Sequence, residues 1–269
     1  MKKEVAYLFL FLVFATLVLA HGDENDEIKS KGFFEDFMPL PFVILIFIIS
    51  AVPFFIIAFY QKKISRQHII FWILIWIVSS ITLMVVFDTV NLTINSETKG
   101  PVHWHADYQI WSCDEQLDLV DPESIANRVG TRLFHEHGDK RMHVEGIIKK
   151  ISDVDLHNFF NFVGGSLSEN SFTVPTNDGA FNVNDGEFCN GEAGEVQIFA
   201  YVVTNPDPKQ KSGFLVEQLK VNENYILSPY QDVPPGDCII IEFDKRKDKT
   251  DKICDTYRIA VEQGRMVIV

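Results

Sequence analysis

The sequence predicts an α+β protein: a two-helix membrane anchor followed by a β-rich ectodomain with one or two helices. Three observations predict this. Two apolar runs near the start are each long enough to cross a bilayer. Beyond them, short stretches rich in β-branched and aromatic residues alternate with Gly, Pro, Asn and Asp turns. All four cysteines and six of the eight histidines also lie beyond the apolar runs, five of the six within residues 103–143.

Residues 1–20 read as a signal peptide. Lys2 and Lys3 open it, an apolar run follows, and Val18-Leu19-Ala20 supplies small residues for cleavage. Residues 21–37 form an acidic extracytoplasmic segment carrying Asp23, Glu24, Asp26, Glu27, Glu35 and Asp36. Residues 38–60 and 69–90 are the expected transmembrane helices. The loop between them, 61–68, carries Lys62, Lys63 and Arg66, so the positive-inside bias places it in the cytoplasm. Residues 91–102 then read as a linker ending at Gly100-Pro101, and residues 103–269 as the extracytoplasmic domain.

Within that domain, the first segment reads as a hairpin turning at Cys113-Asp114-Glu115. Residues 121–132 are loop-like, and two short strands flank the turn Gly138-Asp139-Lys140. Ser152 opens a helix, with Asp155 three residues on as an approximate capping box. Gly164-Gly165 ends it. Strands are expected at 171–174, 195–203 and 237–243, with a polar loop at 204–213. Ile253, Tyr257, Ala260 and Val261 have helical spacing, with Gly264 as a cap.

The formal net charge of −13 is concentrated in this domain, which disfavours nucleic acid as a partner and attracts cations. The sequence leaves open whether a protein partner exists. Cys113, Cys189, Cys238 and Cys254 suggest two disulfides in an oxidising compartment. Three connectivities are possible, and we favour Cys113 with Cys189 and Cys238 with Cys254.

The histidines carry the functional signal. They fall as His103-Trp104-His105, His135-Glu136-His137 and His143-Val144-Glu145. Residues i and i+2 of a strand share a face, so each pair aims two side chains at one point. Neutral imidazole binds copper, zinc, iron and nickel, and a carboxylate adds a harder ligand. We therefore take His103, His105, His135, His137, His143 and Glu145 as candidate metal ligands. Asp107 and Asp139 are candidates to orient them through a ring nitrogen. Outside the cytoplasm this donor set favours copper or zinc. His157 and His68 are not expected to be ligands.

Two resemblances extend this reading. The order His-x-His-Ala-Asp, then His-x-His, then His-x-Glu-Gly resembles uncharacterised extracytoplasmic His-rich domains of prokaryotes. It implies a shared site and no particular reaction. The succession of strand, helix, strand, and Gly-Asp before a final strand, from Met142 to Phe243, is similar to β-grasp modules and implies a β-grasp-like sheet.

Three functions fit. The first is a membrane-anchored protein that binds copper or zinc for metal handling. The second is a metal-dependent hydrolase or oxidase with Glu145 or Asp107 as the base. The third is a structural or partner-binding module whose histidines sense pH.

Overall fold

The computed structural model describes residues 65–123, 127–207, 211–227 and 236–269, together with residue 209 and individual positions between 45 and 60. The expected signal (1–20), acidic segment (21–37) and residues 61–64 lie outside the described residues, as does most of the first expected span (38–60). The chain divides into two units near Asp88.

Helix α1 runs from Arg66 to Asn95. Its 30 residues extend about 45 Å, more than the hydrocarbon core of a bilayer. Among the described residues it is the one helix long and apolar enough to cross a membrane, so a two-helix anchor is not shown. It also takes in Arg66 to His68, expected in a loop, and Asn91 to Asn95, expected in a linker. The polar end stays helical because its side chains bond back along the helix. Asn95 Nδ2 donates to the Asn91 carbonyl, and the Thr93 hydroxyl donates to that of Thr89.

The second unit is built on one large mixed sheet. Its central strands are β1 (Pro101–Ser112) and β13 (Cys238–Asp244), which run parallel with Asp107 opposite Cys238. One edge of β1 is shared. Its first half pairs antiparallel with β5 (Arg141–Ile147), and its second half with β2 (Glu115–Leu117). Beyond β5 lie β4 (Phe134–Glu136) and β3 (Val129–Gly130). Beyond β13 lie β11 (Glu195–Val203), β12 (Phe214–Val221) and β14 (Met266–Ile268). The expected hairpin turn holds: Cys113 and Asp114 both take positive φ, as a two-residue turn requires.

Alternation along the strands assigns the two faces. Trp104, Ala106, Tyr108 and Ile110 of β1 join Met142, Val144, Ile239 and Ile241 in the larger core. Helix α2 (Leu156–Phe162) closes that core with Leu156, Phe159 and Phe160. So does a separate sheet of β6 (Ser166–Ser168), β7 (Ser171–Thr176) and β8 (Gly179–Asn184), after which β9 (Phe188–Cys189) and β10 (Glu192–Ala193) form a short hairpin. On the other face Phe199, Tyr201, Cys238 and Ile240 pack under α3 (Asp255–Glu262) through Tyr257 and Ala260. Strand β13 is buried at every position, as expected of a central strand that reads Cys-Ile-Ile-Ile.

Two expectations are refined. The helix cap is Asp155 rather than Ser152. Asp155 accepts from the Asn158 N–H at 2.8 Å, and the residues before it, Ile151–Val154, form a 3-10 turn. The segment from Met142 to Phe243 is also not a sheet on its own, because β5 and β13 both pair with β1 outside it. Both preferred disulfides are present, Cys113–Cys189 and Cys238–Cys254.

Candidate metal centre

The sheet register brings the histidines together. On adjacent strands His105 stands opposite His143, and His143 opposite His135. His103 lies one step along the same face of β1, opposite Glu145. His137 follows β4 directly and shares the face of His135. All five rings therefore project from the face opposite the Trp104–Ala106 core. They form two groups, His103-His105-His143 and His135-His137-His143, in each of which the donor atoms lie within 4.8 Å of one another. His143 belongs to both.

The ring partners show which nitrogens are free. His137 Nδ1 contacts the Asn127 carbonyl oxygen, which can only accept, so Nδ1 carries the hydrogen. In the neutral ring Nε2 then keeps its lone pair. It faces His135 Nε2 at 3.1 Å. Nitrogens bound about 2.0–2.1 Å from a tetrahedral ion stand about 3.3 Å apart, so these two are spaced as co-ligands. His143 Nε2 lies 3.2 Å from Asp139 Oδ2 and donates to it. That leaves His143 Nδ1 as the free donor, and it is buried without a hydrogen-bond partner among the described residues. His135 Nδ1 is also buried without a partner among the described residues; with Nε2 as the ligand nitrogen, Nδ1 carries the hydrogen. A ring whose second nitrogen is held by a carboxylate or carbonyl is the usual arrangement around a metal-binding histidine.

The turn between β4 and β5 sets this geometry. Gly138 and Lys140 take positive φ, and Glu136 Oε1 accepts from the Lys140 N–H at 3.0 Å. The turn is thereby closed with Asp139 above His143, four residues on. Glu136 itself faces the core side, where burial raises its carboxyl above the ordinary range.

Burial biases three of the rings toward the neutral form. Burial pushes His143 down to about 4, against the opposing pull of Asp139. Burial, and then His137, lowers His135. Burial, and then His103, lowers His105. Neutral imidazole is the form that binds metal.

The other expected site residues are placed as follows. Glu145 Oε1 lies 2.9 Å from His103 Nε2, with both side chains exposed, so it engages a histidine rather than completing either group of donors. Asp107 shares the face of His103 and His105 but bonds to neither. Arg141 Nε donates to its Oδ1 at 2.7 Å, and the Thr256 hydroxyl donates to Oδ2. Asp107 thus ties β1 to β5 and α3. Asp139 does hold a histidine. His157 Nδ1 donates to the Leu167 carbonyl at 2.7 Å, and His68 bonds Ser65, so both sit apart from the cluster.

Sequence reasoning missed Asn127 and Arg141. The Asn127 contact comes from a loop carbonyl, to which residue identity gives no clue. Arg141 was accessible, because placing His105 opposite His143 in an antiparallel pair puts Asp107 opposite Arg141.

Comparison with protein-family models, curated proteins and solved structures finds no match for this chain.

Proposed function

We propose that this is a membrane-anchored extracytoplasmic protein that binds copper or zinc through its clustered histidines and serves in metal handling. The observation that carries this reading is the sharing of His143. Three adjacent strands aim His105, His143 and His135 at one patch, and His103 and His137 complete a three-imidazole set on either side. Five clustered imidazoles, of which burial biases His105, His135 and His143 toward the neutral form, are a good donor set for a borderline cation. Three imidazoles with an open position are a known zinc shell.

The cellular placement rests on two supports. Helix α1 is long and apolar enough to cross a bilayer. The two disulfides suit an oxidising compartment. The resemblance to prokaryotic extracytoplasmic His-rich domains belongs to the same reading. The β-grasp resemblance draws support only when its range is extended to take in β1: the strand order is then β5-β1-β13-β11, with β1 and β13 parallel and α2 following β5 in the chain. Metal handling is preferred to hydrolysis because both base candidates are engaged, Asp107 by Arg141 and Glu145 by His103.

The test is the metal content of the full chain, purified in detergent after growth with copper and zinc, by elemental mass spectrometry. We expect a bound transition metal that is lost in His105→Ala/His137→Ala and kept in His157→Ala. A wild-type chain that retains neither metal, and takes up neither on titration, would end this reading.

A further inference from the structure

We infer that the two histidine groups are alternative positions for a single ion: an outer loading position and an inner holding position, with His143 passing the ion between them. This inference rests on the metal-binding reading above and adds a direction and a stoichiometry to it.

The first support is a gradient of exposure. The His103 side chain is 55% exposed and stands with the exposed Glu145 at the rim. His105 is half-buried behind it. In the inner group His135 and His143 are buried and His137 is half-buried like His105, so the two groups differ in exposure at His103 against His135. A hydrated cation therefore meets the outer group first, and Glu145 adds negative charge there.

The second support is the bonding of His143. Its Nε2 hydrogen is directed at Asp139, so the neutral ring has one lone pair, on Nδ1. One lone pair serves one ion at a time. The outer and inner groups both need it, so filling one empties the other. The third support is spacing. The His143 ring lies 4.6 Å from that of His105 and 4.7 Å from that of His137, between centroids. A ligand that stays bound while its neighbours exchange lets an ion cross without returning to water. His137, held by the Asn127 carbonyl, presents its free Nε2 to the inner position.

The experiment uses the full chain in detergent, with Zn2+ and Cu2+ each added alone as the chloride. Bound metal is counted by elemental mass spectrometry, and uptake and removal are followed by stopped-flow mixing with a chromogenic chelator. We expect one ion per chain. In His103→Ala/His105→Ala we expect one ion still tightly held but taken up at least about tenfold more slowly. In His137→Ala we expect one ion held at least about tenfold more weakly and surrendered quickly to the chelator. These variants alter side chains that are not fully buried, and capture of one ion by each reports an intact remaining group. Two ions retained together by the unaltered chain would overturn the proposal. So would an outer variant with unchanged uptake, or one that has lost tight retention. No binding of either ion by the unaltered chain would instead defeat the metal reading itself.

Discussion

His105 and His143 face each other directly across β1 and β5, their ring centroids 4.6 Å apart, and His135 occupies the matching place on β4. His143 is thus the one ring within reach of every other member of the cluster. Replacing it should cost more than replacing any neighbour. We expect His143→Gln to weaken zinc or copper binding by well over about tenfold, against a smaller loss for His103→Gln at the exposed rim. Competitive chelator titration would read both. Equal losses would mean that His143 is not shared.

The metal-free protein should lose stability in mild acid. His143 titrates near 4 in the folded chain against 6.5 for a free ring, and His135 and His105 are also lowered. Above pH 6.5 folded and unfolded rings are both neutral. Between there and about 4 the unfolded chain binds protons that the folded chain refuses, so stability falls as pH falls through that window. Thermal unfolding of chelator-treated protein at pH 7 and pH 5 should show a lower midpoint at pH 5. His143→Gln should reduce the difference. An unchanged or higher midpoint in acid would contradict the burial of these rings.

Asp107 gives a test that separates architecture from coordination. Its carboxylate accepts from Arg141 and Thr256 and touches no histidine. Asp107→Asn should destabilise the fold by about 1.5–3 kcal/mol, the worth of a charge-assisted hydrogen bond. Metal affinity should stay nearly constant. Denaturant unfolding beside a metal titration would decide it, and an affinity loss without a stability loss would restore Asp107 to the site.

Gly165 is constrained by space. A Cβ there would lie 2.2 Å from the Thr173 carbonyl oxygen, a backbone atom that cannot turn aside. Gly165→Ala should therefore cost about 1–3 kcal/mol as β7 is forced away from the end of α2. Denaturant midpoints would show it. A neutral result would mean that β7 has slack.

The disulfides should contribute unequally. Cys113–Cys189 spans 76 residues and Cys238–Cys254 spans 16. On loop-closure grounds Cys113→Ser/Cys189→Ser should destabilise more than Cys238→Ser/Cys254→Ser, by about 1 kcal/mol. Thermal melts of the two double variants would compare them. The reverse order would show that packing of Cys238 and Cys254 in the smaller core outweighs chain entropy.

Features that depend on near neighbours were legible in the order of residues alone. The two-residue spacing of His103-His105 and His135-His137 put each pair on one face, because strand side chains alternate. Cys113-Asp114 marked the first hairpin, and Gly164-Gly165 ended α2, because backbone conformation is a local matter. Ser152 misled as a cap because Asp155 offers the same chemistry closer to the apolar turn.

Long-range strand pairing set the remainder. Nothing local says that β1 lies at the centre of the sheet, because its partner β13 begins more than a hundred residues later and pairs through long-range hydrogen bonds. That register places Asp107 beside Cys238, and the pairing with β5 gives it to Arg141 rather than to a histidine. Glu145 went to His103 for the same reason. The sharing of His143 follows only once β1, β5 and β4 lie side by side, since one ring can serve two groups only from a strand flanked on both sides.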